Sequence, residues 1–278
     1  MAGANKAQPA TPSDIDLFWQ MSLLIERHQP DYFLFHSCTL DSLGHNYGFD
    51  SIQIDKNCYT IDAALGDFIP RWQAQGYDVI ITADHGEQLG DHGLKEKLGF
   101  FPQSYHILGL VRDPRNTKQH GTVVDKFTEN IDIFPTIADA LGQPVPLQCD
   151  GLPLTPFLTG ATPAIWRDAA TYEYDWRSVF IRMGARDWPW DQRLEQQHLA
   201  TRCYDDRAYV QFGNGSSLSF DLAADKTWRT YINDPATTLA MAQDMLVWRS
   251  RHTNRTLSGM LIEQGGIGEW PTDVSWRA

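Results

Sequence analysis

A carboxylate and an imidazole stand side by side at Asp84-His85-Gly86, directly after the mostly apolar run Tyr77 to Ile81. Val and Ile in a short run bounded by Gly76 and Gly86 read as a buried parallel strand. Ligands of open α/β sheets collect at the carboxyl ends of such strands. An Asp oxygen and a His nitrogen presented there suit Zn²⁺, Mn²⁺ or a similar ion. The plainer alternative is a polar turn in which Asp84 caps a helix.

A second pair of the same kind is Asp41-Ser42-Leu43-Gly44-His45, which follows the apolar run Tyr32-Phe33-Leu34-Phe35-His36. An Asp and a His four apart converge on one ion if the loop turns into a helix between them. Alone, this pair reads equally as a capping Asp and a surface His. Two Asp/His pairs, each ending its own strand in one βαβ unit, are much harder to obtain by accident.

The elements that must position these pairs are legible from periodicity. Ser13 or Asp14 caps a helix through Leu17, Met21, Leu24 and Ile25, with Pro30 just past its end. Tyr32 to His36 is expected to be a buried strand, with His36 a core residue. A helix spans about Ser51 to Gln75 on the spacing of Tyr59, Ile61, Leu65, Phe68, Ile69 and Trp72, and stops at Gly76. The Tyr77–Ile81 strand closes a strand–helix–strand unit of a parallel sheet. His106 to Val111 is a further expected strand, and Thr128 or Asn130 a cap for the helix Ile131 to Leu141. Beyond Thr171 the character changes to short strands at 171–176, 178–183, 199–204 and 208–212, with a turn at Gly213-Asn214-Gly215. An amphipathic helix, Pro235 to Leu257, follows, with Met241, Met245 and Trp248 on one face. The expected organisation is a flexible stretch 1–12, an α/β core 13–170, and a C-terminal subdomain 171–278 with antiparallel sheet, helix and extended tail.

The 278 residues, 42% hydrophobic and 12% aromatic, suffice for one large α/β domain. A net charge of −12 argues against a broad basic surface for nucleic acid. It does not argue against an anionic substrate, because a bound cation reverses the local field. Cys38, Cys58, Cys149 and Cys203 form no CxxC pair, which fits reduced thiols and a cytoplasmic location. No signal-like N-terminus and no apolar run of about twenty residues points to a membrane.

Asp41-Ser42-Leu43-Gly44-His45 followed by Asp84-His85-Gly86 resembles the metal-binding pattern of the alkaline phosphatase superfamily: nucleotide pyrophosphatases/phosphodiesterases, sulfatases and phosphonate monoester hydrolases. The resemblance extends through Ser104-Tyr105-His106, Val111-Arg112-Asp113-Pro114-Arg115, Asn130-Ile131-Asp132, Cys149-Asp150-Gly151 and Phe220-Asp221-Leu222. It implies an α/β/α sandwich with a mostly parallel sheet, plus a small C-terminal antiparallel sheet and long helix. It also implies that Asp41 and His45 ligate one metal, that Asp84 and His85 ligate a second, and that Lys97 contacts the substrate's anionic group. The ions implied are divalent, Zn or Mn first and Ca or Mg as alternatives. For the first site the third ligand is expected to be a later His. His92 is the first choice and His106 the second. His92 alternatively touches substrate, and His120 reads as a solvated turn residue.

The superfamily's N-terminal metal-binding Asp and its nucleophile have no counterpart in this chain, and no Cys-x-Pro-Ser-Arg occurs in it. The expected function is metal-dependent hydrolysis of a small phosphoester, phosphonate or sulfate ester, phosphorus being favoured because the formylglycine motif is absent. Two metals about 4 Å apart can polarise the ester and activate a nucleophile. The alternative is a non-catalytic metal-binding or interaction protein that keeps the fold, or one part of a split enzyme. A missing strand would leave an apolar edge, so a homo-oligomer or a partner chain supplying strands is expected. The carboxylates Asp168, Glu173 and Asp175 read as solvated or as a pocket rim, and Asp132 and Asp150 as capping and turn residues.

Overall fold

The computed structural model describes residues 14–47, 52–146, 149–175, 188–189, 192 and 198–253. The expected strand 178–183, the stretch 1–12 expected to be flexible, and the tail expected past Gly265 lie outside them. The chain divides into two compact units, each described by itself. The first comprises the described parts of Met1–Ile81, with Leu89–Gly93 and Leu110–Thr117. The second comprises Thr82–Gln88, Leu94–Gly109 and the described parts of Lys118–Ala278.

In the first unit, helices α1 (Asp14–His28), α2 (Thr39–Tyr47) and α3 (Ile52–Ala74) precede strand β1 (Val79–Thr82). Phe18 and Ile25 of α1 share a core with Phe68 and Trp72 of α3. The Trp72 indole N–H donates to Ser22 Oγ at 3.1 Å inside that core, so the one polar group it buries there is satisfied. Asp14 and Asp16 in the first turn of α1 and Arg27 and His28 in the last suit the helix dipole. Gln29 takes a left-handed φ of 44° and ends the helix.

The segment expected as a buried first strand is extended but pairs with no strand among the described residues. Its alternation explains why. Phe33 and Phe35 pack inward, Phe35 at 4.6 Å from Phe18 and Phe33 edge-on to Trp72 at 5.8 Å. Tyr32, Leu34 and His36 face the other way and are exposed. His36 is therefore a surface residue and not a core one. The apolar run describes one covered face, and the other face is bare. β1 is likewise half-buried rather than buried. It pairs with β4 (Gly109–Arg112), which starts three residues later than the apolar pattern predicts, and Leu110 of β4 is exposed. Asp113, buried in the Arg112-Asp113-Pro114-Arg115 turn, accepts from the Arg115 backbone and side chain at 2.8 Å, and Arg115 reaches on to Asp78.

Between β1 and β4 run the short strands β2 (Gln88–Leu89) and β3 (Lys95–Glu96) and a helical turn α4 (Pro102–Tyr105). In the second unit, helices α5 (Ile133–Ala140) and α6 (Thr155–Leu158) lead to an antiparallel sheet of β5 (Ala170–Asp175), β6 (His198–Cys203), β7 (Arg207–Phe212) and β8 (Ser217–Asp221), in that order. Leu199 faces Phe212 and Arg202 faces Tyr209 across β6 and β7. Strand alternation feeds two cores. Leu199, Val210 and Phe220 pack with Trp228, Leu98, Phe100 and Phe101 on one side. Ala200, Tyr204 and Tyr209 pack with Met241 and Met245 of α7 (Pro235–Thr253) on the other. The helix start near residue 131 is capped by neither Thr128 nor Asn130. Glu129 and Asp132 form a reciprocal capping box instead.

Candidate active site

Asp84 and His85 follow β1 and are held there by residues from far along the chain. The Thr82 hydroxyl donates to Asn130 Oδ1 at 2.9 Å, and Asn130 Nδ2 donates to the Ala83 carbonyl at 2.8 Å. Asn130 is itself fixed by the turn that ends in Asp132. That carboxylate is fully buried and accepts from the backbone N–H groups of Glu129 and Leu152, each at 2.8 Å. Arg167, also buried, forks onto both Asp132 oxygens, with Nη2 to Oδ1 at 2.8 Å. A buried guanidinium and carboxylate need such complete pairing to offset their desolvation. From Arg167 to Asp84 the path is continuous and polar. Asp132 thus does more than cap a turn.

On its other side the Asp84–Gly86 loop rests on α4. The Gly86 N–H donates to the Ser104 carbonyl at 2.8 Å. A Cβ at position 86 would stand 2.1 Å from the Gln103 carbonyl oxygen, so only glycine permits this approach.

The side-chain geometry assigns a tautomer to His85. Its Nδ1 lies 2.8 Å from the Gly86 carbonyl, which can only accept, so Nδ1 carries the proton. Its Nε2 lies 3.2 Å from Lys97 Nζ and 3.6 Å from Asp84 Oδ2. Two ammonium-like cations would not face each other at that distance, so Nε2 presents a lone pair to the lysine. Two acceptors and one cation therefore converge at a partly open point, the Asp84 side chain being 72% exposed and that of His85 29%. A lone-pair Nε2 whose ring is oriented through Nδ1–H to a carbonyl is the arrangement in which imidazole binds a metal ion.

In the first unit, Asp41 and His45 sit one turn apart on α2, with Nε2 3.4 Å from Oδ1. The loop does turn into a helix between them. His92 lies in the short 3₁₀ turn Asp91–Gly93 with φ 55° and ψ 17°, a left-handed conformation uncommon outside glycine. His106 and His120 are exposed in the second unit. Each Asp/His pair offers one oxygen and one nitrogen donor, types that suit a divalent ion. Among the described residues no three His, Cys, Asp or Glu side chains stand together to hold one. Each pair thus falls short of the three protein donors of a firm site. Asp168 and Glu173 are exposed and ion-paired, to Arg202 at 3.0 Å and Arg249 at 3.1 Å.

The sequence offered Asn130 as a helix cap and, with Tyr105, as part of segments that carry the family resemblance, with no role for either in the site; Glu129, Arg167 and Tyr172 gave no signal. The Tyr105 and Tyr172 rings stack 3.9 Å apart beside the Lys97 loop. Nothing local distinguishes Glu129, Arg167 and Tyr172, since the partners that give them their roles lie 35 to 72 positions away in the chain.

Residues 9–98 match the type I phosphodiesterase / nucleotide pyrophosphatase family, and residues 90–181 match the C-terminal part of N-sulphoglucosamine sulphohydrolase. The multifunctional alkaline phosphatase superfamily protein PehA of Trinickia caryophylli is 37% identical over 187 residues, 65% of this chain and 35% of that protein. The crystal structure of a phosphonate monoester hydrolase from Agrobacterium radiobacter superposes with a TM-score of 0.60 at 35% identity, over 72% of this chain and 39% of the other. The chain resembles the alkaline phosphatase superfamily in sequence and shares its fold. Within that superfamily, an N-acetylglucosamine-6-O-sulfatase of Bacteroides thetaiotaomicron is 35% identical over 98 residues, 34% of this chain and 17% of that enzyme. The relatives are ester hydrolases of both the sulfatase and the phosphonate branches. The matched part covers little more than a third of the PehA and phosphonate monoester hydrolase chains. Among the described residues no helix is long and apolar enough to cross a membrane.

Proposed function

We propose that this chain carries part of the site of a metal-dependent hydrolase for phosphoester or phosphonate esters, with sulfate esters as the second substrate class. One observation carries the reading. The Nε2 lone pair of His85, Asp84 Oδ2 and the Lys97 ammonium converge on one partly open point after β1. In this reading Asp84 and His85 are donors to one divalent ion, Zn or Mn, which supplies a Lewis acid for the ester oxygen. Asp41 and His45 are donors to a second. Lys97 offers its ammonium to the anionic group, and His92 serves as a further ligand or substrate contact. Phosphorus is favoured because PehA and the phosphonate monoester hydrolase match the longest stretches among the relatives above.

Two donors per pair do not complete a metal site, so the remaining donors are proposed to come from outside the described residues. The bare apolar side chains Tyr32, Leu34 and Leu110 of the first unit support a partner, either a second copy or another polypeptide. Light scattering of the purified chain should then report an oligomer or a partnered complex, and a stable monomer would remove that part of the reading.

The test of function is turnover of p-nitrophenyl esters of a phosphodiester, a phosphonate and a sulfate, with Zn²⁺ or Mn²⁺ added. Turnover should require metal, follow the order phosphorus before sulfur, and vanish in Asp84→Ala. Bound metal and turnover unchanged in Asp84→Ala would overturn the proposal. Metal binding without any turnover would favour a non-catalytic descendant or one part of a split enzyme.

A further inference from the structure

We propose that Tyr105 and Tyr172 are positioning residues that together hold the loop Lys97–Phe101 so that Lys97 stays beside the Asp84-His85 pair, its ammonium able to turn from His85 to an anionic group when an ion takes the Nε2 lone pair. The proposal rests on the reading of Lys97 as an anion contact and adds what places it.

Tyr105 closes α4, and its hydroxyl donates to the Gly99 carbonyl at 3.0 Å. Tyr172 belongs to β5, and its hydroxyl donates to the Phe100 carbonyl at 2.8 Å. Two consecutive carbonyls of the Lys97 loop are therefore held by two hydroxyls. The two rings stack on each other at 3.9 Å with an interplanar angle of 14°, so neither hydroxyl moves alone. Gly99 adopts φ +89°, a left-handed conformation that an L side chain would strain. Burial pushes the Tyr105 hydroxyl up to about 12 and that of Tyr172 well above its usual 10. Both accordingly remain protonated donors at any working pH. Downstream of this clamp, Phe100 and Phe101 anchor the loop in the core with Phe220 and Trp228.

The same helical turn serves both halves of the cluster. Through the Ser104 carbonyl, α4 supports Gly86 and so His85. Through the Tyr105 hydroxyl it supports Gly99 and so Lys97. α4 thus touches both the His85 side and the Lys97 side of the cluster, and β5 adds the Tyr172 hydroxyl on the Lys97 side.

Tyr105→Phe, Tyr172→Phe and the double variant keep both rings and remove only the hydroxyls. The first readout needs no ligand: acylation of lysines by an activated acetate ester, followed residue by residue by mass spectrometry. Losing a hydrogen bond worth about 1 kcal/mol should raise Lys97 acylation about fivefold in either single variant, and more in the double, with Lys118 unchanged. Unchanged Lys97 acylation in the double variant overturns the proposal. The second readout is the affinity for inorganic phosphate. Each Tyr→Phe change should weaken it about fivefold, but not at all in a Lys97→Ala background, since coupled residues are non-additive. Equal weakening in both backgrounds would mean a general packing role and would also overturn it. If phosphate binding is absent, or unchanged by Lys97→Ala alone, the reading of Lys97 as an anion contact fails. The acylation result still decides the positioning.

Discussion

Asn130 holds the Ala83 carbonyl at 2.8 Å, across 47 positions of sequence, and with the Gly86–Ser104 backbone bond supports the loop that carries Asp84 and His85. Asn130→Ala removes this bond and the one from Thr82. At about 1 kcal/mol each, and partly compensated by water, the stability loss should be about 1–2 kcal/mol in a denaturant titration. Metal affinity should fall while helix content stays constant. Unaltered metal affinity would mean that the loop keeps its aim without the amide.

Gly86→Ala puts a methyl group 2.1 Å from the Gln103 carbonyl oxygen. Either the loop or α4 must shift. Overpacking of this kind costs about 1–3 kcal/mol, read as a lower melting temperature. Lys97 acylation should rise as well, because α4 carries Tyr105. Ser104→Ala, by contrast, leaves the backbone carbonyl that Gly86 uses and should change Lys97 acylation little.

Asp132→Ala leaves the Arg167 guanidinium buried with Glu129, at 3.8 Å, as its remaining carboxylate among the described residues, beside the Phe127 carbonyl at 3.4 Å. Removing one member of such a pair costs about 3–5 kcal/mol. The paired replacement Asp132→Leu with Arg167→Met should recover only part of that loss in thermal unfolding, because the Glu129 and Leu152 N–H groups lose their acceptor. If both variants were equally unstable, the two residues would matter through packing rather than charge.

His252 supplies a pH dependence. Burial lowers its pKa from the ordinary 6.5. Arg167, Arg202 and Arg251 oppose its protonation, and Glu129 and the Asp150 carboxylate, 3.3 Å from Nδ1, favour it. Its Nε2 is buried with no hydrogen-bond partner among the described residues. A folded-state pKa below the unfolded one gives stability that is present above about pH 6.5 and lost as pH falls through the folded value. Unfolding free energy should therefore decline as pH falls below 6.5, and His252→Gln should flatten that limb. An identical slope in the variant would assign the limb to other groups.

Helices α1, α3, α5 and α7, strands β5, β6 and β7, and the positions of Asp41, His45, Asp84 and His85 were legible in the linear pattern, whereas α4, α6 and β8 were not. Each legible feature depends on contacts within a few residues or on a period of two or 3.6. The run Tyr32 to His36 shows where that reading stops. Its residues are apolar on both faces, which looks like a buried strand, yet only Phe33 and Phe35 are covered. Periodicity says which side a residue points to and says nothing of whether a second layer exists there. His85 shows the same limit at the chemical level. Its type and place were plain from Asp-His-Gly, but its tautomer follows from the Gly86 carbonyl and the approach of Lys97. Asn130, Arg167, Tyr105 and Tyr172 reach their roles through contacts that close loops of up to 72 residues, as between Tyr172 and Phe100. The sequence by itself determined which side chains could do the chemistry. Only the tertiary structure decided which groups aim them, because a hydrogen bond formed across the fold leaves no period in the chain.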